Sequence, residues 1–432
     1  MAGVLIAMKS TNVDRLAFLL MGFALSMSAA SQTIWPNYIS EIQPDISESS
    51  VAAQALADAR VQTPDASLPA DKARWSGEWS GWACQGRLCD LKLIVESVRS
   101  DGATVVYSAA SSRGGAISHR LEARFNADEL QVVLPGGMQI AFRMRTDNVV
   151  EVVGNSQGKV SFGGVLSNRP LGHRVVERIP TPFIESSKPI FLEMVIYKPP
   201  GAGPFPTLIF NHGSTGNGDD AALFTSTWTS PVIARFFNEQ GWMVVFPQRR
   251  GRGKSDGLYD EGFELDRSKY SCAPKLSLPG LDRAVADLDA AASHVAGHPD
   301  VDSKRMLIGG ESRGGVASMA YSGAHPNRFV GVLNFVGGWV DDACRHANLI
   351  NEEGFRRGAA YPRATLWLYG ENDPFYKISH SRKNFDAFQA AGGIGEFHVF
   401  NLGAGQSGHG LISMRLHWQS AVMRYLDQIQ GR

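Results

Sequence analysis

Neither sign of charge is in excess: Lys and Arg number 42, Asp and Glu 42, so the formal net charge is zero. Nothing in that balance draws the chain to a polyanion, and nucleic acid is excluded as a first reading. Long apolar runs are missing as well. The longest, Leu16 to Met27, has 12 residues, against about 20 for a bilayer span, so no resident transmembrane helix is predicted. Cysteine is scarce, at four, and no two form a CxxC pair, which leaves a zinc site or a redox motif little to stand on. His294 and His298 have a metal-like spacing of four, but Val295 stands where a zincin carries its Glu. Gly253-Lys254-Ser255 ends like a phosphate loop, yet Gln248 occupies the place of the required first glycine. No metal and no cofactor are expected. With 44% hydrophobic and 19% charged residues over 432 positions, what remains is a globular protein of two or three domains.

Lys9 and Arg15 lead into the apolar run and Ser28, Ala29 and Ala30 close it, which is the order of a secretory signal. Residues 1 to 30 are therefore expected to be removed, and the protein to be periplasmic or secreted. An even number of cysteines suits that setting. The simplest of the three connectivities pairs Cys84 with Cys89 and Cys272 with Cys344. Residues 31 to 72, rich in Ser, Pro, Ala and Asp with one helical patch at 50 to 60, read as a linker.

Between 73 and 170 short alternating segments are broken by turns, as at Pro135-Gly136-Gly137 before Met138 to Phe142, and an all-β accessory domain is expected. Its Trp75, Trp79 and Trp82 read as core or as an end plug. From 181 to 432 apolar strands alternate with helical stretches, which predicts an α/β fold with a doubly wound, mostly parallel sheet. Chemistry in such sheets gathers at the carboxyl ends of the strands.

After the strand Met306-Leu307-Ile308 comes Gly310-x-Ser312-x-Gly314, where glycines two before and two after the serine permit a sharp strand-to-helix turn that holds the hydroxyl out. Ser312 is the candidate nucleophile. A serine hydroxyl needs a base, and the base needs an orienting carboxylate. Asp373 follows the strand Thr365 to Tyr369, and His409 follows the strand ending near Asn401, in Gly408-His409-Gly410. Glu371 is the rival acid, with Asp341 and Asp342 behind it. The loop Asn211-His212-Gly213-Ser214 follows the strand Thr207 to Phe210, and the amides of Ser214 and Arg313 are the candidate oxyanion donors, with His212 orienting the loop. The side chains of Arg250 and Arg313 are read as members of internal ion pairs as readily as carboxylate binders.

Taken together, Ile209-Phe210-Asn211-His212-Gly213, Arg250-Gly251-Arg252-Gly253-Lys254-Ser255, Gly310 to Gly315, Gly370-Glu371-Asn372-Asp373 and Gly408-His409 resemble the α/β-hydrolase superfamily, over roughly 185 to 430. Within it the chain is most similar to serine hydrolases related to dienelactone hydrolase and prolyl oligopeptidase. Dienelactone hydrolases proper carry a cysteine where this chain has Ser312. The resemblance implies a serine hydrolase, and with the N-terminal signal pattern the leading expectation is an exported enzyme that cleaves a small carboxylic ester through an acyl-enzyme. A peptidase acting on short peptides with the same residues, and a non-catalytic binding protein on a hydrolase scaffold, are the alternatives. Two insertions, 257 to 279 and 339 to 361, each carry one late cysteine and are expected to cover the pocket, tied by Cys272–Cys344, with Trp339, Phe375 and Tyr376 as walls.

Overall fold

The computed structural model describes residues 33–36, 39, 53–83, 89–111, 115–146, 148–169 and 173–431. The expected signal, residues 1 to 30, and Cys84 lie outside them. After a single-turn helix α1 (Ala70–Ala73), eight strands follow in a meander: β1 (Gly77–Ala83), β2 (Cys89–Val98), β3 (Gly102–Ser111), β4 (Gly115–Asn126), β5 (Glu129–Val133), β6 (Gln139–Met144), β7 (Val149–Ser156) and β8 (Lys159–Ser167). Each pairs antiparallel with the next. β1 also pairs with β8, through registers such as Trp82 with Val165, and the sheet closes into a barrel. Closure removes the open edges that eight short strands would otherwise expose. Alternation does the rest: Leu91, Leu93 and Val95 of β2 meet Val105 and Tyr107 of β3 in the interior, with Trp75 and Trp79 buried among them. The barrel is filled by side chains, which agrees with the core reading of Trp75 and Trp79; Trp82, an odd number of residues from Trp79 and so on the other face of β1, is half-buried and outside this core.

The described part of the preceding segment lies along the barrel. Ala53 is buried with its amide donating to Asp90 (2.7 Å), the Arg60 amide donates to Glu96 (3.1 Å), and Trp35 Nε1 donates to Glu129 (2.5 Å). No helix forms over 53–60, contrary to the helical patch expected at 50 to 60. The amides at its two ends, Ala53 and Arg60, are taken by barrel carboxylates, which compete with the i to i−4 ladder.

The second sheet contains β9 (His173–Glu185), β10 (Lys188–Lys198), β11 (Phe205–Asn211), β12 (Met243–Pro247), β13 (Val301–Glu311), β14 (Gly331–Phe335), β15 (Thr365–Gly370) and β16 (Gly395–Phe400), in the order β16-β15-β14-β13-β11-β12-β10-β9. Pairing is parallel from β12 to β16 and antiparallel where β10 meets β9 and β12, so the sheet is mixed with a parallel majority. Its first strand starts at His173, eight residues before the expected boundary at 181. β9 is an edge strand with largely exposed side chains, so it carries none of the continuous apolar pattern that marks the buried strands.

Helices α2 (Pro231–Glu239), α3 (Pro274–Ala296), α4 (Arg313–Ala324), α5 (Ala347–Arg356), α6 (Ile378–Ala390) and α7 (Arg415–Gln430) cover the sheet. α2 packs with α7, while α3, α4 and α5 pack together and α6 joins α5. One apolar core runs through the sheet and both helical groups. α3 begins at Pro274 and α5 at Ala347, so the last residues of the first expected lid and much of the second are helical.

Candidate active site

The turn from β13 into α4 is where backbone geometry is most constrained. Ser312 sits between them with φ 51° and ψ −122°, a left-handed conformation costly for a residue with a Cβ. Its amide donates to Phe335 O (3.0 Å) and its carbonyl accepts from Gly315 (3.0 Å), so both sides of the turn are pinned. A Cβ at Gly314 would stand 2.2 Å from Asn211 O, and one at Gly310 would stand 2.5 Å from the Gly314 carbonyl carbon. Only glycine fits at either position, which is the physical content of the Gly-x-Ser-x-Gly pattern.

Asp373 follows β15, with its side chain 1% exposed. Its Oδ1 accepts the amides of Phe375 (2.8 Å) and Tyr376 (3.1 Å), and its Oδ2 accepts from Nδ1 of His409 at 2.9 Å. The rival Glu371 accepts instead from Asn401 Nδ2 (2.7 Å), Asp342 accepts the Lys377 amide, and Asp341 accepts the Ala343 amide. Of the four acids weighed, Asp373 is the one that meets His409. With Nδ1 donating to the carboxylate, the Nε2 of His409 is left for the cavity.

Ser312, Ser214, Arg313, Trp339, Phe375, Tyr376 and His409 line one cavity of about 550 Å³. The Ser312 hydroxyl lies 3.4 Å from the Tyr376 hydroxyl, which itself donates to Gly338 O (2.8 Å). Phe375 presents its edge to the His409 ring at 4.7 Å between centroids, and Tyr376 lies 5.6 Å from it. Tyr376 thus touches both groups at once. Sequence reasoning placed it only among the walls, because its position three residues beyond Asp373 is the single signal it gives.

Across from Ser312, the loop after β11 brings Gly213 against the elbow, where a Cβ would lie 3.1 Å from Ser312 Cβ. The Ser214 amide has no acceptor among the described residues, and neither does the Arg313 amide at the start of α4. Glu311 Oε1 lies beside Gly213, 3.4 Å from where a Cβ would stand. Burial pushes the Glu311 carboxyl above the usual carboxylate range, while the charge of His409 and the Gly213 amide pull the other way. Glu311 was not singled out from sequence; a charged residue in the variable place of the elbow was its only mark.

The side chains of Arg250 and Arg313 are both internal. Arg250 Nε pairs with Asp287 (2.5 Å), and Arg313 Nη1 donates to Glu261 O (2.8 Å) with its guanidinium stacked between Tyr270 and Trp339. No group of three His, Cys, Asp or Glu able to hold a metal occurs among the described residues.

His212 is buried, with Nδ1 donating to Gly213 O (2.8 Å) and Nε2 accepting the Arg249 amide (3.2 Å). That pair of contacts fixes the neutral ring. Burial, then the charges of Arg249 and Arg252, hold its pKa well below the ordinary histidine value of 6.5. An unfolded chain takes up a proton below about 6.5 that the folded ring refuses, so folding stability falls as pH drops through that value. The contribution is up to about 1.4 kcal/mol per pH unit until the folded ring itself titrates. Urea unfolding at stepped pH should show this slope in the wild type and a shallower one in His212→Asn.

Cys272 and Cys344 form a disulfide between the segment before α3 and the segment after β14, with a Cα separation of 5.7 Å, and both residues line the cavity. Cys89 is also disulfide-bonded; Cys84, its expected partner, is outside the described residues. Because the Cys272–Cys344 bond closes a loop with a sequence separation of 72, the Cys272→Ser/Cys344→Ser double variant should lose about 2–4 kcal/mol of stability, measured as a lower urea midpoint, with an m-value no smaller than wild type because the unlinked unfolded chain is less compact.

No protein-family model and no curated protein matches the sequence. Among solved structures the chain is similar to an esterase from Pyrococcus furiosus, 15% identical over 60% of this chain and 90% of that one, with a TM-score of 0.41. An S-formylglutathione hydrolase from Agrobacterium tumefaciens is 17% identical over 59% and 94%, TM-score 0.39. An acetyl xylan esterase from Paenibacillus sp. R4 is 17% identical over 61% and 89%, TM-score 0.40. At such values the fold rests on this chain's own geometry. A mostly parallel sheet, a serine on the strained turn after its fifth strand, a loop after its third strand facing that serine, and an acid and a histidine following in that order are the features of an α/β-hydrolase fold.

Proposed function

We propose that the protein is a serine hydrolase that cleaves small carboxylic esters through an acyl-enzyme. Ser312 attacks the carbonyl carbon, His409 takes the hydroxyl proton and returns it to the leaving alcohol, and Asp373 holds the imidazole in the tautomer that leaves Nε2 free. The amides of Ser214 and Arg313 receive the oxyanion. The observation that carries this reading is the 2.9 Å contact from His409 Nδ1 to buried Asp373, at the wall of the cavity that also holds Ser312 on its strained turn. In the proposed reaction the Ser312 hydroxyl, whose side-chain contact in the structure is the Tyr376 hydroxyl, turns instead to Nε2 of His409, a tightening that substrate binding commonly brings.

An alcohol leaves an acyl centre more readily than an amine, and an ester needs no anchor for a free amino terminus, so the ester reading asks least of these residues. Esters of p-nitrophenol with short acyl chains, compared with aminoacyl p-nitroanilides, test it. Turnover of the esters in preference to the anilides is the expected result; turnover of anilides alone would contradict the ester assignment. Export is proposed alongside, supported by the Cys272–Cys344 bond, which an oxidising compartment preserves. No helix among the described residues is long and apolar enough to cross a membrane.

A further inference from the structure

Ser214 lines the cavity, and what sets the direction of its amide is the peptide that carries it. Three groups hold the two peptides before it. Arg249 Nη1 donates to His212 O (2.8 Å), Arg249 Nη2 donates to Gly213 O (3.2 Å), and His212 Nδ1 shares that second carbonyl. In a trans peptide the N–H points away from the C=O. With both carbonyls held on one side, the amides of Gly213 and Ser214 emerge together on the other, a small nest of the kind that receives anions. Glu311 Oε1 lies beside Gly213, and the Ser214 amide has no acceptor among the described residues.

Arg249 is itself fixed. Its side chain is 2% exposed, and Nε donates to Glu261 Oε1 (2.5 Å). Glu261 also accepts from the Tyr259 hydroxyl (3.0 Å) and lies 3.6 Å from Arg313 on the elbow. One buried carboxylate therefore locks the arginine under the loop to the arginine beside the nucleophile. A cation on the carbonyl end of a peptide also polarises it, so that its N–H becomes a stronger donor, and a dry site preserves the effect.

We propose that Arg249 is a positioning residue for the oxyanion site: its guanidinium grips the carbonyls of His212 and Gly213, aims the Ser214 amide at the developing oxyanion and strengthens that amide as a donor. The proposal rests on the hydrolase reading of Ser312 given above. Arg249 touches no reacting atom and acts through the peptide it holds.

The test is Arg249→Lys, which keeps the charge and loses the fork. Each preparation is first titrated with a fluorophosphonate, so that rates refer to active enzyme. The expected result is a fall in kcat of about tenfold to a hundredfold with KM within about threefold, below the effect of deleting an oxyanion donor outright. A trifluoromethyl ketone supplies the second readout: Ser312 Oγ adds to its carbonyl carbon, the hydroxyl proton passes to His409, and the carbonyl oxygen becomes an oxyanion in the site. Its affinity should fall by the same factor as kcat/KM, while that of the matching methyl ketone, which stays largely unadded, should not change. A merely structural role would lower the titratable fraction and leave both ratios alone.

Normal kcat and normal trifluoromethyl ketone affinity in folded Arg249→Lys would overturn the proposal. If that variant does not fold, His212→Leu, which removes the second donor to Gly213 O, is judged by the same two readouts. Ester turnover surviving in Ser312→Ala would instead mean that the underlying reading of the site is wrong.

Discussion

Ser312→Ala should lower kcat/KM on a p-nitrophenyl ester by about three to six orders of magnitude, because Ser312 is the cavity hydroxyl held on the strained turn after β13. Folding should survive the change. The hydroxyl's polar contact is the Tyr376 hydroxyl at 3.4 Å, and that group keeps its bond to Gly338 O, so no buried donor is orphaned. The alanine inherits the same left-handed backbone, and the thermal midpoint should stay within a few degrees of wild type. A large activity loss at constant stability separates chemistry from structure. Retained activity would remove Ser312 from the mechanism.

The second large effect concerns the acid, where sequence left Glu371 as a rival. In Asp373→Asn the carbonyl oxygen can still accept the amides of Phe375 and Tyr376, so the loop keeps its shape. The amide NH2 then faces Nδ1 of His409 and donates to it. That forces the proton onto Nε2, the atom required to accept the serine proton. The loss expected from a wrong tautomer is about 10⁴-fold in kcat. Glu371→Gln should stay within about twofold of wild type, since that side chain is occupied by Asn401 and does not approach the imidazole. Equal losses in the two variants, measured as kcat/KM on one ester, would contradict the assignment of the acid.

Most of the buried sheet was legible because its strands are continuous apolar runs bounded by turn residues, as in Met243–Pro247 and Thr365–Gly370. β9 was not. Exposed on most of its length and paired on one side, it has no need of the pattern that betrays a strand. Barrel closure was equally hidden, since the pairing of β1 with β8 joins segments about eighty residues apart and no local signal encodes it.

At the site, the spacing of glycines exposed the turn that holds Ser312, because the backbone there tolerates nothing larger. The contributions of Arg249, Glu261 and Glu311 depend on which carbonyl or amide each side chain meets after folding. Residues that act on the backbone of a distant loop leave no motif. Tyr376 is intermediate: its closeness to Asp373 in sequence hinted at the wall of the cavity, but its contact with the serine hydroxyl is a tertiary fact.

The central claim is that Ser312 is an activated nucleophile, and it is tested most directly by peptide mapping of the protein after reaction with a fluorophosphonate. The account predicts one covalent adduct, on the peptide containing Ser312, formed in the wild type and strongly slowed in His409→Ala. An adduct on another residue, or none under conditions where esters are turned over, would contradict it.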